Sequence, residues 1–260
     1  MELGLKGKVA LVTGTSRGIG RGIALGLADQ GCDLLLTGRD AQALETVAQS
    51  IRDKGGRAAV CALDLCEPRA PEILVEVMRS EFRGLDILVN NAGATRRGDF
   101  FELTDADWEA GYALKFFAHV RLTRAAWPLL KERHGALVAI AGTSGRKPDK
   151  RFTIGSSVNA AVAAFTKCLA DLGKEDGVRV NCIHPSLVET ERQWRRIRAE
   201  VERTGQPEEI IRAQFCRETG IIRYGKVEDV ADFVTFIVSS RATWLHGATL
   251  DLDGGEIPVL

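Results

Sequence analysis

The chain has 260 residues, 45% hydrophobic and 27% charged, enough to bury the core of one large α/β domain or two small ones. Thirty-five basic side chains balance thirty-five acidic ones, so no global charge points to nucleic acid or an anionic membrane as partner. Apolar runs stop at strand length, as in ALVAIAG at 136–142, and Glu2 with two lysines interrupts the N-terminal stretch, so neither a membrane span nor a signal peptide is expected. The six cysteines (32, 61, 66, 168, 182, 216) form no C-x-x-C pair and read as reduced thiols of a cytoplasmic protein. Four scattered histidines without clustered carboxylates predict no metal site.

In chain order, short apolar, β-branched-rich runs predict strands at 8–14, 32–38, 58–64, 85–91, 135–142, 178–184 and 247–255. Helical periodicity fills the gaps at 18–30, 40–54, 68–82, 105–133, 155–174 and 227–239. Such alternation predicts a single doubly wound α/β domain over 1–260: a mostly parallel seven-stranded sheet with helices on both faces. Strands apolar nearly throughout fit a sheet buried on both sides. The segment 187–226 departs from the pattern as a helical, Arg-rich insertion, read as a lid.

Between the first strand and first helix, VTGTSRGIGRGIA places Gly14, Gly18 and Gly20 in a G-x-x-x-G-x-G turn, with Ser16, Arg17 and Ile19 between them. Glycines let backbone approach a pyrophosphate, and the helix N-terminus offers N–H groups and a positive dipole end. The second strand ends LLLTGRD. Glycine stands at 38, where an acid would hold the 2′-hydroxyl of NAD, and Arg39 comes next. Arg17 adds a second guanidinium for a 2′-phosphate, so NADP(H) is favoured over NAD(H). Asp40 is the competing acid, but it falls late and suits a cap on the next helix.

With TGTSRGIG, Asp64-Leu65 after the third strand and LVNNAG at 88–93, the chain resembles a classical short-chain dehydrogenase/reductase, a Rossmann-type fold. Its closest flavour is the 3-oxoacyl-carrier-protein reductase-like group. The likeness spans about 6–257 and includes RVNCIHP (179–185), RYGKVEDVADFVTFIVS (223–239) and the closing LDLDGG. The resemblance implies that Asp64 and Leu65 border the adenine and that Asn90, Ala92 and Gly93 line the cofactor cleft. It assigns Val188 and Thr190 to the nicotinamide amide and counts Pro185 among the cofactor-binding residues. His184, just before Pro185, reads as structural filler. Homo-oligomers paired through the helices at 105–133 and 155–174 are also implied, as is a small-molecule substrate.

The family handles its proton with an asparagine, a serine, a tyrosine and a lysine. The lysine is needed because an unperturbed tyrosine pKa near 10 is poorly matched to neutral pH. Trp108 and Phe165 match family aromatics and set the register. The asparagine position then falls on Lys115, the serine on Gly142, the tyrosine on Gly155 and the lysine on Asn159. No tyrosine lies between 113 and 223, so no shift restores the set. Asparagine and lysine are exchanged, which keeps one ammonium and one amide in the cleft. Candidate catalytic residues are therefore Lys115, Asn159 and Ser144, the last standing in for the serine from two positions later. Thr143, Ser156 and Ser157 are further polar groups near the cleft mouth, and N-capping explains the two serines equally well.

Basic residues gather around the same cleft: Arg96 and Arg97, then Lys147, Lys150 and Arg151, then Arg192, Arg195, Arg196 and Arg198 in the lid. Lid acids Glu189, Glu191, Glu200 and Glu202 offset them, and a solvated helix face competes with an anionic substrate as the explanation. Three functions stay open: an NADP(H)-dependent oxidoreductase with Lys115 as proton donor, a non-redox enzyme such as a lyase, hydratase or hydrolase, and a non-catalytic nucleotide-binding or assembly subunit.

Overall fold

A computed structural model describes residues 2–258. All seven expected strands form: β1 (Val9–Thr13), β2 (Asp33–Gly38), β3 (Ala58–Ala62), β4 (Ile87–Asn90), β5 (Ala136–Ile140), β6 (Arg179–Pro185) and β7 (Thr249–Leu252). They make one sheet in the order β3-β2-β1-β4-β5-β6-β7, parallel at every pairing. The order reverses between β1 and β4. In an open parallel sheet that switch point leaves a crevice outside the carboxyl ends of the strands, where ligands bind.

Two layers of helices close the sheet, as β1 (VALVT) and β5 (ALVAI), buried along their whole length, require. On one face α1 (Gly18–Asp29), α2 (Ala41–Arg52) and α9 (Val227–Val238) pack around Val12, Leu34, Leu36, Val89 and Ile183. On the other, α3 (Ala70–Val77), α5 (Ala118–Glu132) and α6 (Thr153–Asp176) pack around Leu11, Leu35, Leu88, Leu137 and Val180.

The expected long helix at 105–133 is not one regular helix. α4 (Asp105–Tyr112) and α5 are joined by a π-helical turn at Ala113–Phe117. A π-turn inserts an extra residue into the ladder and rotates the helix beyond it, and such turns concentrate at functional sites. Lys115 sits at its centre.

The segment expected as a lid contains two helices, α7 (Glu191–Thr204) and α8 (Glu208–Thr219), packed on a small core of Ile197, Ile211, Phe215 and Tyr224. Among the described residues no helix is long and apolar enough to cross a membrane.

Candidate active site

The glycine turn is built around backbone that tolerates no side chain. Gly14 and Gly18 take φ of +72° and +58°, the left-handed region that glycine enters without cost. A Cβ on Gly20 would lie 2.3 Å from the Gly14 carbonyl oxygen and 2.4 Å from Asn91 Nδ2. Asn91 donates that Nδ2 to the Thr13 carbonyl at 2.8 Å. Thr13 Oγ1 in turn accepts from the Asn91 and Ala92 amides at 2.9 and 3.0 Å. The end of β4 is thereby laced to the start of the turn. Neither Thr13 nor Asn91 was singled out from sequence, although the doubled asparagine in LVNNAG was the available signal.

Arg17 is the N-cap of α1, extended and without a side-chain cap, and no acid lies in the first turn. The helix start therefore presents N–H groups and positive dipole with no carboxylate competing for them. Ser16 Oγ lies 4.0 Å from a Cβ placed on Gly38, which puts the turn beside the end of β2. Arg17 and Arg39 are both exposed there. Asp40 caps α2 instead, accepting from the Ala43 amide at 3.0 Å. Asp64 accepts from the Cys66 amide at 2.9 Å, and Leu65 is buried. Asn90 is buried and donates to Thr123 Oγ1 at 2.9 Å, so its side chain turns towards α5 and leaves its carbonyl-type oxygen unpartnered.

On the far side of the crevice, the Lys115 side chain lies across Gly93, its Cδ 2.8 Å from where a Cβ on that glycine would be. Its Nζ donates to the Ala141 carbonyl at 3.0 Å. Burial, and secondarily the Arg192 cation, lower its pKa to about 8. It is not a lysine reaching outward over the surface. Behind it, His119 donates Nε2–H to the Ala92 carbonyl at 2.9 Å. Burial drops the His119 pKa to about 4, so the ring is neutral at physiological pH.

Gly142 comes directly after Ala141. A Cβ there would be 2.9 Å from Asn159 Nδ2, and that Nδ2 donates to Ser144 Oγ at 2.9 Å. The oxygen of the Asn159 amide is buried with no partner. Lys115, Asn159 and Ser144, widely spaced in sequence, thus converge on one backbone segment, 141–144. His184 is fully buried and donates Nδ1–H to the Gly142 carbonyl at 2.8 Å, holding that segment in place.

The space beside Gly155 is filled. A Cβ on it would sit 2.1 to 2.6 Å from three carbons of the Phe152 ring. Phe152 is itself covered by the Arg97 guanidinium, 4.3 Å from the ring centroid. The capping explanation for Ser156 and Ser157 is corrected, because α6 begins two residues before Gly155, with Phe152 as N-cap. Ser156 Oγ instead accepts from the Asp149 amide at 3.2 Å, and Ser157 bonds back to the Ile154 carbonyl at 3.1 Å.

The lid begins over the cofactor side. Thr190 Cγ2 is 3.4 Å from a Cβ placed on Gly18, its Oγ1 caps α7, and Val188 bridges to Gly225. Pro185 ends β6 opposite Leu252. Among the described residues no cluster of His, Cys, Asp or Glu is arranged to hold a metal.

Comparison with known proteins agrees with this architecture. The short chain dehydrogenase family profile matches residues 8–200. The 3-oxoacyl-acyl-carrier-protein reductase of Escherichia coli is 31% identical over 255 residues, 97% of this chain and 98% of its own. L-sorbose reductase from Gluconobacter frateurii, solved with NADPH and L-sorbose, superposes with a TM-score of 0.96 at 34% identity, covering 100% of both chains. A short chain dehydrogenase from Burkholderia cenocepacia, solved in complex with NADP, gives 0.86 at 33% identity over 97% of this chain and 98% of that one. The chain belongs to the short-chain dehydrogenase family.

Proposed function

We propose that the protein is an NADP(H)-dependent oxidoreductase acting on a small carbonyl or alcohol substrate, with Lys115 in place of a tyrosine as the proton donor. The observation that carries this reading is the Lys115 ammonium, held 3.0 Å from the Ala141 carbonyl with its pKa lowered to about 8. That value is better suited to proton exchange near neutrality than an ordinary lysine near 10. Homologues that are reductases, and relatives solved with NADPH or NADP, support the same chemistry.

The residues present fit the dinucleotide. The uncapped start of α1 suits a pyrophosphate. Arg17 and Arg39 suit a 2′-phosphate, and Asp40, committed to its helix cap, is a poor ribose acid. Asp64 and Leu65 would border the adenine, and Ala92, Gly93 and the Asn90 backbone would line the crevice around the cofactor. Val188 and Thr190 would hold the nicotinamide amide, and Pro185 at the end of β6 would line the same cofactor site. The unpartnered oxygen of Asn159 is an acceptor for a ribose hydroxyl. When bound, NADPH supplies the hydride. Lys115 gives its proton to the developing alkoxide and is reprotonated from solvent, while Ser144, oriented by Asn159, hydrogen-bonds the carbonyl oxygen.

The pH dependence has a definite sign. A protonated donor is needed for reduction, so the reductive rate falls as pH rises through about 8 and the oxidative rate rises there. NADPH consumption over a carbonyl panel tests the assignment. Lys115→Met should lower kcat/KM by about 10²- to 10⁴-fold with NADPH affinity retained. Tight NADPH binding with no turnover, or turnover indifferent to this substitution, would move the protein to a non-catalytic nucleotide-binding role. Turnover without cofactor would move it to non-redox chemistry.

A further inference from the structure

The arginines of the lid are not equivalent. Glu189 pairs with Arg212, Glu191 with Arg198 and Glu200 with Arg203. Three of the four acids that balance the lid on paper are thereby committed, and Glu202 is in no ion pair among the described residues. On the cleft wall Arg96 pairs with Asp107 and Arg97 with Asp149. Among the described residues Arg192 and Arg195 have no carboxylate partner. Arg196 lies over the Phe215 ring at 4.4 Å.

Arg192 is exposed, and the groups around it are cationic. It occupies the first turn of α7, at the positive end of the helix dipole. It reaches across the cleft mouth to donate Nη2–H to the Thr95 carbonyl at 3.3 Å, two residues beyond the glycine that Lys115 covers. Crowding by protein, then the like charges of Arg97 and Arg195, lower its pKa, and it in turn pushes down that of Lys115. Lysine and arginines of one sign therefore meet at the mouth of the crevice, without an acid among the described residues to neutralise Arg192. One guanidinium edge is spent on Thr95, and the other donors of the planar fork remain for two oxygens of an anion.

We propose that Arg192 determines substrate specificity by binding an anionic group, carboxylate or phosphate oxygens, carried by the carbonyl substrate beside Lys115. This rests on the reductase reading above for the word substrate, but the anion site itself is a statement about binding. An anion there relieves the repulsion between Arg192 and Lys115 and fixes the carbonyl end of a short molecule towards the Lys115 ammonium.

The test is calorimetric binding to the protein loaded with NADP⁺, comparing acetoacetate with its methyl ester, and dihydroxyacetone phosphate with dihydroxyacetone. The charged member of at least one pair should bind about tenfold or more tightly than its neutral partner. Arg192→Gln should erase that difference by weakening the anion about 10- to 100-fold, with the neutral compounds and NADPH unmoved. Arg192→Lys, a cation without the fork, should restore part of it. Whichever pair shows the difference names the anion as carboxylate or phosphate. Equal binding of charged and neutral members in the unmodified protein, or equal weakening of both by Arg192→Gln, overturns the inference. Arg192-dependent anion binding with no NADPH oxidation keeps the anion site and sinks the reductase instead.

Discussion

The two halves of the crevice are held together in different ways. In the cofactor half, backbone is tied to backbone through short polar side chains. Thr13 and Asn91 lace β1 to β4, and Gly20 leaves no room for a carbon between them. In the catalytic half, side chains fill volume against one another: Phe152 over Gly155, Asn159 against Gly142, Lys115 across Gly93. A buried acceptor of Asn159 and a buried nitrogen of His119 have no partner there. Where backbone geometry sets the residue, few sequences serve. Where volume sets it, residues can trade places so long as the space is filled, and the exchange of ammonium and amide that the family register implies between 115 and 159 would be of that kind.

The largest expected effect comes from putting a side chain into the first half. Gly20→Val drives carbon into the Gly14 carbonyl oxygen, 2.3 Å from the Cβ position, and backbone cannot swing aside. NADPH affinity should fall more than about 100-fold, and stability by about 1–3 kcal/mol as in other overpacked sites. Gly142→Ala is its counterpart in the second half. Its Cβ meets only the Asn159 side-chain nitrogen, at 2.9 Å, so the loss in a urea melt should stay under about 1 kcal/mol. Equal losses in the two variants would erase the contrast drawn between the halves.

An effect on stability alone is expected from placing a phenol at position 155. Gly155→Tyr alone collides with the Phe152 ring and should destabilise by about 1–3 kcal/mol. Combined with Phe152→Ala it should cost less than the sum of the single changes, with a coupling of about 1–3 kcal/mol in a double-mutant cycle. Strict additivity would mean that Phe152 does not occupy the volume above residue 155.

Legibility in the sequence divides along the same line. All seven strands, the glycine turn and the helical character of 187–226 are readable, because alternation of apolar runs and the position of glycines are local signals of backbone geometry. The convergence of Lys115, Asn159 and Ser144 on residues 141–144 came only through the family register, since nothing local ties those positions together. Phe152 was invisible, because a ring turning back over a glycine three residues later leaves no periodic trace. The π-turn at Ala113–Phe117 was hidden for a related reason: an unbroken helical pattern does not reveal one inserted residue. Asn90 ends β4 and Asn91 follows it, and the two side chains go to different partners. The family resemblance names Asn90 as lining the cleft and passes over Asn91, which is the asparagine that braces the turn, while the Asn90 side chain faces α5. N-capping, one of the two explanations open for Ser156 and Ser157, fails because α6 starts upstream of the small residues that resemble its beginning.

The smallest effect bears on cofactor choice, and it separates two neighbours. Asp40 accepts from the Ala43 amide and caps α2, while Arg39 beside it is exposed with no acid paired to it among the described residues. Removing an N-cap typically costs about 0.5–2 kcal/mol, so Asp40→Ala should lower stability by that amount in a denaturant titration. If the cap is its whole role, the ratio of NADPH to NADH affinity stays where it was. Arg39→Ala should do the reverse, leaving stability unmoved and reducing that ratio about tenfold or more, as loss of a charge-assisted phosphate contact does. A ratio that shifts with Asp40 and not with Arg39 would make residue 40 the ribose contact after all. The second-strand terminus would then select NAD(H), and the cofactor half would share the tolerance for exchanged residues that distinguishes the catalytic half.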